Sequence, residues 1–322
     1  MIYRNIGNTE IKASVIGLGT WGISGWQWGG TDMEESIRAI HASIDAGINL
    51  IDTAPIYGMG LAEEIVARAV KDRRDKVIIA TKCGLLWDDS KKGADRDSTI
   101  RLSLKPESIR KEAEASLLRL KTDHIDLYQT HWQDADVPVE YVMEELLKLK
   151  DEGKIRAIGV CNINVKQLEE YSNAGFFESD QERFSMIDRE IEGEILPWCR
   201  KHSKAVLAYS PLAQGLLTGK VGPGRKFTGD DQRINDPRFS MENRLKIAGI
   251  LEELEPYAQT CKVTIPQLVI AWNVAQQGIT HVLCGARNVM QAEENAGAGD
   301  AILNEKDIAE INGIIAKFKM QE

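Results

Sequence analysis

Three polar residues stand just after short apolar runs. Asp52 closes Asn49-Leu50-Ile51, Lys82 follows the run at 77–81, and His131 follows the run at 125–130, while Tyr57 lies five positions beyond Asp52. Singly, each has an ordinary explanation. Asp52 can cap a turn, Lys82 can reach solvent along its stem, and His131 can be a core residue with satisfied nitrogens. Together they suit one chemistry. A tyrosine has a pKa near ~10, too high for easy proton exchange at neutral pH. A nearby ammonium favours the phenolate and lowers that pKa, and a carboxylate keeps the ammonium charged and fixed. A histidine beside the phenol can hydrogen-bond a substrate carbonyl and orient it. Such a set moves a proton to the oxygen of a carbonyl as it is reduced. The hydride has to come from a cofactor, since no side chain supplies one.

These side chains meet only if their strands end side by side, and the chain is organised for that. Apolar, often β-branched runs at 13–18, 48–51, 77–81, 125–130 and 156–160 are followed by weaker ones at 177–184, 205–209 and 280–284. Segments of helical period lie between them, at 35–44, 61–70, 106–120, 139–152, 165–173, 191–203, 242–261 and 265–277. Eight strands in strict alternation with helices, and no linker, predict one domain over residues 1–322: a closed parallel (β/α)8 TIM barrel. The opening segment, with Gly7-Asn8 between apolar residues, suits a β-hairpin over the barrel floor.

The stretch VIGLGTWG at 15–22 contains an apparent G-x-G-x-x-G, the signature of a Rossmann phosphate turn. Its context fails. A Rossmann turn runs directly into a helix, but here a glycine- and tryptophan-rich loop follows, and the first helix start is the capping box Thr31-x-x-Glu34. The acidic residue expected about 20 positions on is also missing. Any dinucleotide must be held elsewhere.

Bulk properties narrow the class. The 322 residues are 43% hydrophobic and 28% charged, with net charge −9 and no basic tract, which disfavours nucleic acid and anionic membranes as partners. No run approaches a membrane span and the N-terminus lacks a signal pattern, so a cytoplasmic protein is expected. Five scattered cysteines without a C-x-x-C pair read as reduced thiols, and the histidines show no metal-ligand spacing. No metal is expected. A monomer is favoured, for want of a coiled-coil segment or an obvious apolar patch. One irregular stretch, 211–241, follows the seventh strand and so belongs on the barrel's C-terminal face, where active sites lie. Its Arg225, Lys226 and Arg233 suit a phosphate ligand, and equally a solvated surface loop.

The motifs resemble those of the aldo-keto reductase superfamily over essentially the whole chain. They are GLGTWG at 17–22, D-T-A-x-x-Y-G at 52–58 and A-T-K at 80–82, continuing with S-L-x-R-L-x-x-D-x-I-D-L-Y-x-x-H-W at 116–132. G-K-I-R-A-I-G-V at 153–160 and Y-S-P-L-A-x-G-L-L-T-G-K at 209–220 complete the set. Finer details, such as G-A-R near 285–287, are similar to bacterial general-stress and inositol-linked members. The resemblance implies a catalytic tetrad of Asp52, Tyr57, Lys82 and His131, and a nicotinamide cofactor extended across the top of the barrel.

It also implies who holds that cofactor. Thr20 and Trp21 shape the nicotinamide end together with Asp52. Asn162 and Gln181 take the carboxamide, with Cys161 where a serine is usual. A thiol is a weaker hydrogen-bond partner than a hydroxyl. Tyr209 stacks on the ring. Ser210, Leu212, Gln214 and Gly215 form the pyrophosphate loop, with Lys220 closing over it. Gly285, Arg287, Gln291, Glu294 and Asn295 take the adenosine and its 2′-phosphate. Arg287 favours NADP(H), since a guanidinium binds phosphate with two hydrogen bonds, with NAD(H) still open. Trp21, Trp87 and Trp132, with Tyr57 and His131, line the substrate side, which suits aldehydes, ketones, sugars or polyols. The reaction expected is NAD(P)H-dependent interconversion of a carbonyl and its alcohol. Two alternatives stay open: a cofactor-binding regulatory or redox-sensing subunit with little turnover, and an aldolase using Lys82 as a Schiff base.

Overall fold

The computed structural model describes residues 1–91 and 97–317. Eight parallel strands form a closed barrel in the order expected from the alternation: Ile16–Gly19, Leu50–Asp52, Ile78–Cys83, Ile125–Thr130, Ile155–Cys161, Ser179–Arg183, Ala205–Tyr209 and His281–Gly285, the last pairing with the first. Each strand is buried on both sides, which is why these runs read as nearly continuous apolar stretches.

Alternation along the strands separates two layers. Leu50, Ala80, Leu127, Ala157, Ala205, Leu207 and Leu283 fill the barrel interior. Ile51, Ile79, Tyr128, Ile158 and Val206 face the helices. Two residues further along the inward phase come Asp52, Lys82 and Gln129, so the same two-residue period that packs the interior carries polar groups to its upper end.

Tyr3–Asn5 and Lys12–Ser14 pair antiparallel, as the N-terminal hairpin was expected to do. Ile6, in the turn, is fully buried against the interior leucines and alanines and closes the floor. Gly7 is required there: its φ is +55°, and a Cβ would lie 2.5 Å from the Glu178 carbonyl oxygen.

The glycines of GLGTWG serve the barrel. Gly17 is in the inward phase, and a Cβ on it would lie 2.8 Å from Leu283 and 3.0 Å from Leu50. The strand then runs into a short 3-10 helix, Trp21–Ser24, not into an α-helix. The following helix, Met33–Asp45, corrects the expected capping box. Its N-cap is Asp32, whose carboxylate accepts from the Glu35 N–H at 3.0 Å, while the Thr31 hydroxyl donates to the Ile23 carbonyl at 2.6 Å. Aspartate and threonine both cap well, so local sequence could not choose between adjacent positions.

Other helices follow their strands at Leu61–Ala69, Pro106–Leu120, Val139–Asp151, Val165–Ala174, Ile195–Lys201, Met241–Cys261 and Ile265–Ala275. Two more, Val289–Gly297 and Glu305–Ile315, lie beyond the segments predicted from periodicity, as does a small antiparallel ribbon, Leu85–Leu86 with Arg101–Leu102, after the third strand. The long stretch after the seventh strand carries three short 3-10 helices, Ala213–Thr218, Gln232–Ile234 and Pro237–Phe239.

Candidate active site

The four residues picked out by chemistry converge at the C-terminal end of the barrel. Lys82 is 1% exposed, and its Nζ donates to Asp52 Oδ2 at 2.7 Å, to the Thr53 carbonyl at 3.0 Å and to the Tyr57 hydroxyl at 3.3 Å. The three donor positions of the ammonium are thereby used. Tyr57 is half-buried, with its ring 5.9 Å from that of His131, edge to face, and 6.1 Å from that of Trp21, stacked. Trp28 packs edge-on against Trp21 at 5.5 Å, so an aromatic wall rises from the tetrad toward solvent.

The electrostatics differ from the sequence expectation in one respect. Burial pushes the Tyr57 phenol up to about 12, more than Lys82 pulls it down. The phenol is a protonated donor at neutral pH, where the ammonium alone would have made it readily ionised. Burial also works against the charge on Lys82, but Asp52 and Tyr57 outweigh it and hold its pKa above the ordinary lysine value. Burial, then Lys82, keep His131 well below the usual imidazole range, so it is neutral and offers one N–H. The arrangement can give a proton from Tyr57 and orient an oxygen with His131.

Beneath the tetrad lies a contact that the motif did not predict. Asp52 Oδ1 accepts from Gln181 Nε2 at 2.8 Å and from Gln129 Nε2 at 3.4 Å. With its nitrogen toward Asp52, Gln181 has its oxygen to offer, an acceptor matched to a carboxamide NH2. Asn162, at φ +57°, donates to the His131 carbonyl at 2.9 Å and accepts from the Tyr209 hydroxyl at 2.8 Å. It thereby ties the ends of the fourth, fifth and seventh strands. Cys161 is buried beside Lys82 and Asp52, with its thiol pushed well up by burial.

The loop after the seventh strand, expected to hold the pyrophosphate, is tightly wound: Ser210, Ala213, Gln214 and Gly215 all have positive φ, and the Ala213 N–H donates to the Ser210 carbonyl. The Leu212 carbonyl accepts from the Gly215 and Leu217 N–H groups and holds the turn. Two buried polar atoms, Thr20 Oγ1 and Gln214 Oε1, have no partner in the protein. Orphaned buried polar groups are costly, and a polar ligand between the two loops would satisfy them. The residues present therefore fit a dinucleotide.

Further along the top, Lys220 Nζ pairs with Glu294 Oε2 at 2.7 Å, linking the loop after the seventh strand to the helix after the eighth. Asn295 donates to the Gly285 carbonyl at 3.1 Å, and the Gln291 side chain accepts from the Arg287 N–H at 2.9 Å. The Arg287 guanidinium donates to the Trp28 carbonyl at 2.9 Å and to that of Gly30. It lines a cleft of about 390 Å³ with Thr31, Asp32, Glu35, Asn288 and Gln291.

The other basic candidates are placed differently. Arg233 is neutralised by Asp231 at 2.6 Å and lies over the rings of Trp28 and Phe227, 4.7 and 4.2 Å from their centroids. Arg225 is exposed, and it is its carbonyl that is held, by Arg244. Of the substrate-side tryptophans, Trp132 is 46% exposed, while Trp87 is half-buried at the end of the small ribbon and donates to Asp89 at 2.5 Å. Gln129 is a candidate that motif reading missed. Its signal was a polar residue ending the inward phase Ile125, Leu127, Gln129, whose other members are apolar.

A closed parallel barrel with a buried lysine–aspartate pair under a tyrosine at its C-terminal end suits an oxidoreductase. Comparison with known proteins agrees. The model of the Aldo/keto reductase family matches residues 15–316, and the chain belongs to that family. The chain is 40% identical to the aldo-keto reductase YhdN of Bacillus subtilis (strain 168) over 320 residues, 98% of this chain and 94% of that protein. It is also 40% identical to the NADH-specific methylglyoxal reductase of Escherichia coli (strain K12) over 312 residues, 94% of each. Among solved structures, glycerol dehydrogenase AKR11B4 from Gluconobacter oxydans superposes with a TM-score of 0.90 at 37% identity, covering 98% of this chain and 95% of that one. An aldo/keto reductase from Klebsiella pneumoniae, solved with NADP and acetate, superposes at 0.73 and 27% identity, covering 96% of this chain and 94% of that one. The family's chemistry, interconversion of carbonyls and alcohols with nicotinamide cofactors, is this chain's reaction class.

Proposed function

We propose that the protein reduces small polar carbonyl compounds, and oxidises the matching alcohols, with Tyr57 as general acid and base. The observation that carries this is the single buried ammonium of Lys82, bonded at once to Asp52 and to the Tyr57 hydroxyl. A bound nicotinamide supplies or accepts the hydride. His131 offers its N–H to the carbonyl oxygen and sets it against Tyr57. As negative charge develops on that oxygen, Tyr57 gives up its proton. Lys82, held by Asp52, stabilises the phenolate left behind. Gln181, Asn162 and Tyr209 would hold the nicotinamide, the Ser210–Gly215 turn the pyrophosphate, and Arg287 with its neighbours the adenosine.

NADP(H) is the cofactor favoured, on the strength of the Arg287 guanidinium in its cleft. NAD(H) is the competitor, because one relative at 40% identity is named for NADH. Methylglyoxal and glycerol, named for two relatives, are both small and oxygen-rich, and the Trp21 wall beside Tyr57 suits flat or polar molecules of that size. The test is Tyr57→Phe, assayed with a panel of aldehydes and polyols while cofactor binding is followed by tryptophan fluorescence. Turnover should fall at least ~1,000-fold with cofactor affinity within about twofold, because the phenolic proton is needed in the transition state and not for binding. Turnover near wild type would refute the assignment.

A further inference from the structure

Gln129 is fully buried, takes no part in the tetrad, and is aimed at it. Its Nε2 donates to Asp52 Oδ1 at 3.4 Å, its Oε1 accepts from Gln181 Nε2 at 3.3 Å, and Gln181 Nε2 donates to the same Asp52 oxygen at 2.8 Å. The three side chains close a triangle that works in one sense only. Turning either amide over would set its oxygen against the carboxylate. The barrel also makes room for it. Gly159, paired with Gln129 on the next strand, has no side chain, and a Cβ there would lie 2.8 Å from Gln129 Cγ and 2.6 Å from Ser179 Oγ. Fully buried polar side chains are retained where their hydrogen bonds are made, and here both amides serve one carboxylate oxygen while Lys82 takes the other.

We propose that Gln129, acting with Gln181, is a positioning residue: it holds Asp52 as an oriented acceptor, and so fixes Lys82 against the Tyr57 hydroxyl. This rests on reading the site as a Tyr57-centred reductase. The other groups facing Asp52 are Lys82 from the third strand, Tyr57 from the loop after the second, and Cys161 from the fifth. His131 ends the fourth strand and is held neutral. Asp180 and Glu182 lie on the outward side of the sixth strand.

Two substitutions test the role. Gln129→Glu is isosteric. While protonated, the new carboxyl donates to Asp52 as the amide did. Once ionised, it sets a second carboxylate beside the first, which pushes its own pKa up. Its kcat should approach wild type at the acid end and then fall at least tenfold along a new limb above the usual carboxylate range, where wild type has none. Gln129→Met keeps the volume and removes the donor, so kcat should drop about tenfold or more at every pH, and NADPH affinity should change less, because Gln181 keeps its 2.8 Å bond to Asp52. Wild-type kcat in Gln129→Met, or a Gln129→Glu profile parallel to wild type, would overturn the proposal. Thermal melts give a readout without turnover: the Tm of Gln129→Glu relative to wild type should fall as pH rises from about 4.5 to 8, because the folded form holds a proton that the unfolded chain releases. A flat difference would overturn the proposal as well. Should wild type reduce no carbonyl in the panel, the reductase reading fails, and the melts still decide whether the triangle holds Asp52.

Discussion

Tyr57 keeps its proton at neutral pH because burial outweighs the pull of Lys82. In the proposed reaction the phenol gives its proton as a carbonyl is reduced, and the phenolate, stabilised by Lys82, takes one as an alcohol is oxidised. Lys82→Met removes that stabilisation and leaves the buried Asp52 carboxylate with the Gln129 and Gln181 amides as its side-chain hydrogen-bond partners, which costs the fold on the order of 3 kcal/mol or more. Both directions should slow at least ~100-fold in kcat/KM at pH 8, and by the same factor, because they share one transition state. Rates near wild type would mean that Lys82 serves only to hold the loop, through the Thr53 carbonyl. At this scale the sequence was informative about identity and incomplete about environment. Asp52, Tyr57, Lys82 and His131 were legible from strand ends and motif. The sign of the Tyr57 shift was not, because it depends on how much apolar surface closes around the ring.

Elements decide which of the expected cofactor residues can reach a ligand. The strand period brings Gln181 and Tyr209 inward and sets Gly285 at the end of the eighth strand, positions that only the family resemblance had singled out. Loop residues had no such guide, and there the expectations scatter. Arg225 is exposed, and Arg233 is spent on Asp231 and two aromatic rings. Arg287 is more ambiguous, since its guanidinium lines the cleft and also ties the first-strand loop through the Trp28 and Gly30 carbonyls. Two of its five donors are used in that tie, which leaves others for a phosphate. Arg287→Ala separates the roles. If the guanidinium reads the 2′-phosphate, NADPH affinity in fluorescence titrations should fall about 10-fold or more, or ~1.4 kcal/mol, with NADH within about twofold. Equal weakening of both cofactors would show a loop tie and nothing more. The small ribbon after the third strand escaped periodicity because Leu85–Leu86 is only two residues long. Length does not account for the two late helices, since Val289–Gly297 is nine residues long, as is Leu61–Ala69, which periodicity found.

At the scale of the whole molecule, the layer between barrel and helices carries acids whose protonation couples the fold to pH. Glu112, on the Pro106–Leu120 helix, accepts from the Gly84 N–H at 3.0 Å, two residues past Lys82, so it pins the end of the third strand. Burial, partly offset by that N–H and Ser108, pushes its carboxyl up to about 7. A folded pKa raised above the unfolded value means that the native state holds a proton the unfolded chain has lost. The stabilisation is complete below about pH 4.5 and disappears as pH rises to 7. Glu182 is likewise pushed up to about 7 by burial and adds the same sign. His131 and His281 act in the opposite direction. Burial holds His131 well below its usual range and His281 at about 4, so their contribution grows as pH rises toward 6.5. The wild-type curve therefore mixes opposing slopes, and the informative quantity is a difference. Glu112→Gln keeps an acceptor for Gly84 and cannot ionise. Its Tm relative to wild type should change little from pH 4 to 5, then climb by several degrees between pH 5 and 8, for a gain on the order of 2 kcal/mol. The rise follows from removing a charge that the fold must desolvate above pH 7. A difference that stays level across that range would show that Glu112 ionises freely in the folded protein, and that its hold on Gly84 does not depend on a proton.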